Sequence, residues 1–187
     1  MSTAKVSPVP QPEGAGDSLR HQLRVATRAE HESLDQRLSA FDLRHLPDYR
    51  AFLGIHRVAL TDIAALCRPY DQDDIAGLAR SLDADLLACG ALPVATRPAH
   101  QAAVDACGQW GGAYVIRGSR LGAQLFARQV PADYPRAYLD HVCTLAWPDF
   151  LRQLEADPGN RGPEAPRRII HGARLAFAAF AAAVPVR

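Results

Sequence analysis

The sequence is nearly without lysine: of its 21 basic residues only Lys5 is not arginine. Against 20 acidic residues they leave a net charge of +1. So small an excess argues against a nucleic-acid partner held by phosphate contacts and against a polybasic membrane anchor. No apolar run is long enough to span a bilayer, and the longest, from Leu175 to Val184, reads as a buried helix. The four cysteines, Cys67, Cys89, Cys107 and Cys143, form no C-x-x-C pair and no His/Cys ligand cluster, which speaks against a zinc site or a thioredoxin-like motif. No secretory leader is visible at the N-terminus, so a reducing cytoplasm is the expected compartment. Sustained strand alternation, an internal repeat, a phosphate loop, a dinucleotide fingerprint and a Ser-His-Asp motif are all missing.

What remains is the composition of one soluble domain, 48% hydrophobic and 22% charged over 187 residues. Residues 1–17, rich in Pro, Gly and Ser, read as a disordered tail, and residues 18–187 as one all-α domain of about seven helices. The first helix is expected from Asp17 or Ser18 to about Ala40, with Leu19, Leu23, Ala26, Leu34 and Leu38 as its apolar stripe. A second follows from Pro47 to near Pro69, and a third from about Asp73 to Ala88. A fourth is expected from about Pro98 through Ala102, Val104, Ala106 and Cys107. The fifth should run from about Gln109 to Gln129, the sixth from Asp133 to Ala156 with an interruption at Pro148, and the last from Glu164 to Ala183.

Two helices carry chemistry. In the fifth, Gly108, Gly111, Val115, Gly118 and Gly122 recur at spacings of 3, 4, 3 and 4, and so share one face. Each interior glycine costs a helix about 1 kcal/mol relative to alanine. Such a stripe admits either a closely packed neighbouring helix or a flat ligand lying across the backbone, and the pattern leaves both open. In the first helix His31 sits beside the apolar stripe, with Asp35 one turn on to orient its ring and Arg24 two turns back to meet an anion. A histidine at such a position is either a satisfied edge-of-core residue or an iron ligand. His56 reads as a packed core residue. His21, His45, His100, His141 and His171 show no spacing that marks a metal site. Asp71, Asp73 and Asp74 cluster at a helix start, where they favour the helix dipole.

The segment Thr27-Arg28-Ala29-Glu30-His31-Glu32-Ser33-Leu34-Asp35 resembles the proximal-helix motif of haem oxygenases. Tyr114-Val115-Ile116-Arg117-Gly118-Ser119-Arg120-Leu121-Gly122 resembles their distal helix, above all in the short bacterial branch associated with phytochromes. The likeness extends to Trp147-x-x-Phe150-Leu151 and to the Ala/Phe-rich final helix. It implies haem held between the first and fifth helices, with His31 as proximal iron ligand and Arg24 facing a propionate. Asp35 would lie behind the histidine. Thr27, Val115 and Arg117 would lie against the haem, and Gly118, Ser119 and Gly122 would form the distal catalytic segment. In that family haem is both cofactor and substrate, cleaved with O2 and external electrons to biliverdin, carbon monoxide and iron. No flavin or nicotinamide site is evident here, so a separate reductase or a ferredoxin would be the electron donor, and a bacteriophytochrome a recipient of the biliverdin.

Two positions depart from the pattern. Ser119 stands where the animal enzymes have Asp, as in the bacterial branch, and Arg117 where that branch has Glu. Arg117 would pair with a propionate, alter the distal water or point to solvent. These departures motivate a second reading, a carrier or sensor that binds haem without degrading it. A third is a thiaminase-like enzyme of similar fold that uses a cysteine and no haem.

Overall fold

The computed structural model of the chain describes residues 18–92 and 104–185. The expected N-terminal tail and the start of the expected fourth helix, including Ala102, lie outside these residues. Seven α-helices and two short 3-10 turns make up the secondary structure among the described residues, and strands are absent there. They are α1 (Leu19–Ala26), α2 (Arg28–Leu38), α3 (Leu46–Ala64), α4 (Gln72–Ala88), α5 (Ala106–Ala127), α6 (Trp147–Ala156) and α7 (Ala165–Ala183). None of them is long and apolar enough to cross a membrane.

The single first helix of the sequence reading is two helices. Thr27 separates them, with φ −110° and ψ 10°, and its buried hydroxyl donates to the Leu23 carbonyl at 2.8 Å. A threonine bonded back to the preceding turn bends a helix, and here the bend sets α2 off from α1. Ala106 and Cys107, assigned from sequence to a fourth helix, form the first turn of α5 instead. Asp105 caps that turn, accepting from the Gly108 amide at 2.9 Å and from Arg168 of α7 at 2.8 Å.

The expected helix from Asp133 onward is also corrected: it begins only at Trp147, with Pro148 in its first turn. Residues 130–146 run as turns, because Pro131 and Pro135 withdraw two amide donors and neighbouring side chains satisfy much of the remaining backbone. Asp85 of α4 accepts from the Ala137 and Tyr138 amides at 3.0 and 2.8 Å. Arg120 of α5 donates to the Tyr138 and Leu139 carbonyls at 2.7 and 3.0 Å. The Tyr49 hydroxyl of α3 donates to the Pro135 carbonyl at 2.6 Å.

α7 is the central element, packed against α1, α2, α3 and α5. Its contact with α5 is closest. A Cβ on Gly111 would lie 2.0 Å from the Ile169 carbonyl oxygen, and one on Gly172 would lie 2.0 Å from that of Gly108. Gly112, on the next face of α5, meets the Leu66 carbonyl in the same way, at 2.2 Å. These glycines let backbone rest on backbone. Farther along the same stripe the situation reverses: a Cβ on Gly118 would stand 3.5 Å from Trp147, and one on Gly122 would meet nothing within 4 Å. The stripe therefore serves helix packing at its first half and borders open space at its second.

Opposite consequences follow for one and the same substitution. Gly111→Ala should lower the unfolding free energy by about 3 kcal/mol, the upper range for overpacking a core. Gly122→Ala should raise it by about 1 kcal/mol through helix propensity alone. Urea denaturation of both variants measures the contrast.

Candidate functional site

The open half of the stripe borders a cleft of about 710 Å³, within the range of small-molecule and cofactor pockets. It lies between α1–α2 and α5, and Phe177 and Phe180 of α7 line its interior. The bend at Thr27 places Arg24 of α1 and His31 of α2 on this one concavity, together with Thr27 itself and Asp35. From α5 come Val115, Gly118, Ser119 and Gly122. Eight of the nine site residues read from the sequence thus line one cleft.

His31 is 62% exposed at its side chain and lies against the edge of Phe177, with ring centroids 6.0 Å apart. Its Nδ1 is 2.9 Å from an Asp35 carboxylate oxygen. That bond places the ring proton on Nδ1 in the neutral tautomer, so Nε2 carries the lone pair a metal would take. Arg24 has no ion-pair partner among the described residues, whereas Arg28 beside it is paired with Glu32 at 2.6 Å. The unpaired cation at the cleft suits an anionic group on a bound molecule. The Ser119 hydroxyl donates to the Ile116 carbonyl at 2.7 Å, which leaves its oxygen lone pairs to accept a bond in the cleft.

The ninth residue is a correction. Arg117 does not line the cleft: it is only 3% exposed, and its guanidinium is consumed on the other side of α5. It donates to Asp71 and to Asp74, each at 2.8 Å, and to the Leu145 carbonyl at 2.9 Å. Arg68, stacked 3.7 Å over the Trp110 ring, completes the network on Asp71. Burial works against the charge of Asp71, but the hydrogen bonds from Arg68 and Arg117 hold its carboxyl below the usual range. Asp71 and Asp74 are therefore buried ion-pair partners and not simply dipole-favouring charges at a helix start.

Sequence periodicity did not single out the far wall. His56 is the packed, 7%-exposed residue expected, yet it also borders the cleft. Its Nδ1 is 2.8 Å from the Phe52 carbonyl, and its ring lies among Phe52, Tyr138 and Phe180 with centroids 4.2–5.4 Å away. Trp147, tilted against Tyr114 at 5.3 Å, closes the cleft beside Gly118. A cue was available for these residues: an aromatic cluster larger than a helix pair needs, gathered around a histidine.

A solved structure shares this architecture over 90% of each chain, with a TM-score of 0.65 and 21% identity: a heme oxygenase from Neisseria meningitidis, determined with NO and CO bound. This is the haem-oxygenase fold. At the level of sequence, no family model and no curated protein matches the chain. Within the haem-oxygenase fold the chain keeps a cleft whose walls are the bent first helix pair and the glycine half of α5.

Two measurements check the electrostatics around the cleft. Replacing Arg117 with Met leaves two buried carboxylates without their shared cation, and should lower the unfolding free energy by about 3–5 kcal/mol in urea. Burial pushes His56 from 6.5 down to about 4, with the Phe52 carbonyl opposing and Arg120 assisting. The unfolded chain therefore takes the proton first as pH falls. The stability that His56 contributes is whole above pH 6.5 and lost on approach to pH 4, about 3 kcal/mol in all. His56→Leu should flatten that part of the pH–stability profile.

Proposed function

We propose that this chain is a haem oxygenase, binding haem in the cleft and degrading it with O2 and externally supplied electrons. One observation carries the reading. A histidine held in a metal-ready tautomer shares an apolar cleft with two interior glycines that the protein's own packing does not require. Gly122 gives up about 1 kcal/mol of helix stability to keep a space in which, beyond its own stretch of helix, no atom of the described residues sits within 4 Å of a Cβ there. Space kept at that cost fits a flat ligand approaching the helix backbone, and the fold is the one used by the Neisseria enzyme.

The residues present fit haem, and each has a definable task. His31 Nε2 would hold the iron, with Asp35 fixing the ring through Nδ1. Arg24 would pair with a propionate at the cleft mouth. Gly118 and Gly122 keep the distal side free of side chains, and the Ser119 oxygen accepts a hydrogen bond that orients water there. Phe177, Phe180 and Val115 exclude bulk solvent from the interior. Bound haem supplies both the iron at which O2 is used and the porphyrin that is opened to biliverdin, with release of carbon monoxide and iron. A separate ferredoxin or reductase delivers the electrons.

The competing readings find less support. The carrier or sensor reading drew on Arg117 and Ser119, and Arg117 is turned away from the cleft into buried ion pairs. The thiaminase-like reading needs a cysteine nucleophile, and no cysteine lines the cleft.

Titration of the purified protein with hemin should give a histidine-ligated Soret spectrum. His31→Ala should abolish that spectrum, and Asp35→Ala should weaken binding by roughly ten- to a hundredfold. Ascorbate or reduced ferredoxin in air should then bleach the Soret band and release biliverdin. A haem complex that survives those conditions would overturn the enzyme reading in favour of a carrier, and an unchanged spectrum in His31→Ala would overturn the ligand assignment.

A further inference from the structure

A second cluster lies apart from the cleft, on the side of α5 to which Arg117 points. Asp74 of α4, His141 and Cys143 each offer a ligand atom, and these three atoms all lie within 4.8 Å of one another. None of the three residues lines the cleft. Asp74 is distant in the chain from His141 and Cys143, and the 130–146 segment brings them together because Asp85, Arg120 and Tyr49 hold it in turns.

Three features show a built site. The first is Gly77 of α4, where a Cβ would stand 2.7 Å from His141 Cε1. An interior glycine is again kept at a cost to its helix, here to seat an imidazole. The second is the support behind the ligands. The Ser81 hydroxyl is 3.3 Å from His141 Nδ1, which leaves Nε2 as the coordinating nitrogen. Thr144 donates to Asp74 through its amide at 2.9 Å and its hydroxyl at 3.0 Å. Asp74 Oδ2 carries the bonds from Arg117 and from the Thr144 hydroxyl, while Oδ1 accepts only the Thr144 amide and retains a lone pair.

The third feature is Arg120, whose Nε and Nη1 are buried with no hydrogen-bond partner. Its Nη2 reaches the His141 carbonyl oxygen at 3.5 Å. Buried donors left unmatched beside the cluster call for an anionic acceptor, such as a thiolate or a small anion.

We propose that Asp74, His141 and Cys143 form a binding site for zinc or another borderline-soft divalent cation, with a fourth position open to water or a small anion. One oxygen, one imidazole nitrogen and one sulfur make a donor set suited to tetrahedral zinc. Ligand atoms on a common zinc stand roughly 3.3–3.6 Å apart, so any wider separation within the cluster closes on binding. Coordination breaks the Cys143 S–H bond, forms the metal–sulfur bond and releases the proton to solvent. The ion would tie the 130–146 segment to α4 and so stiffen the wall that carries Tyr138 and Leu139. The inference is independent of haem binding.

The test uses the full-length, haem-free protein, reduced and stripped of metal, titrated with Co²⁺ without air. A thiolate-to-cobalt charge-transfer band should appear together with intense tetrahedral d–d bands, and Zn²⁺ should displace both. Cys143→Ser should remove the charge-transfer band, whereas Cys107→Ser should keep it. Ser81→Ala should weaken binding by roughly ten- to a hundredfold, and Zn²⁺ should raise the Tm of the wild type. Absence of the band in wild-type protein with native far-UV circular dichroism would overturn the proposal, as would a band that persists in Cys143→Ser.

Discussion

The backbone contact between α5 and α7 is the constraint on which the rest of this molecule depends. Gly111 and Gly172 bring the two helices so close that a single methyl group on either would fall 2.0 Å from a carbonyl oxygen. α1, α2 and α3 also pack on α7, so the seating of α5 there sets its distance from the opposite wall of the cleft. A side chain at the contact would push α5 outward and change the width of the cleft along its length. The width of the cleft and the contact in the core are thus one mechanical problem.

The same stripe of glycines answers two needs because the surroundings of α5 change along its length. At Gly111 the neighbour is the α7 backbone, and Gly108 presents its own carbonyl to Gly172; at Gly118 and Gly122 it is a side-chain edge and then open space. Helical spacing alone cannot tell these apart, since all four residues lie on one face. The stripe divides by position: the first half packs and the second half borders the cleft.

Legibility followed the range of the interaction. α3, α4 and α7 were readable because each carries a local apolar stripe ended by a proline, a glycine or the edge of that stripe, and the His31–Asp35 pair is one helical turn. The break at Thr27 was missed because nothing apolar changes there; one hydroxyl bonded to Leu23 bends the chain. The residues before Trp147 permit a helix, but their conformation is dictated by Asp85, Arg120 and Tyr49, side chains remote in sequence. Arg117 was misplaced for a related reason. It neighbours Gly118 in the chain, but successive helical residues are turned by about 100°, and that turn separates the cleft from a buried network.

That separation bears on how the fold tolerates change. A buried cation between two carboxylates is weak evidence for stability gained and stronger evidence for arrangement fixed. Here the arrangement joins the start of α4, the middle of α5 and the Leu145 carbonyl just ahead of α6. Trp147 begins α6 two residues after that carbonyl and lies 3.5 Å from where a Gly118 Cβ would be. Arg117 therefore acts on the cleft only through what it holds: it anchors the segment that delivers Trp147 to the α5 side of the cleft. The charge at position 117, which by sequence looked like a change to the chemistry, becomes a change to the scaffold behind it. The α5 side of the cleft itself is left to glycine, serine and aromatic edges, which can shape the space without introducing a charge of their own.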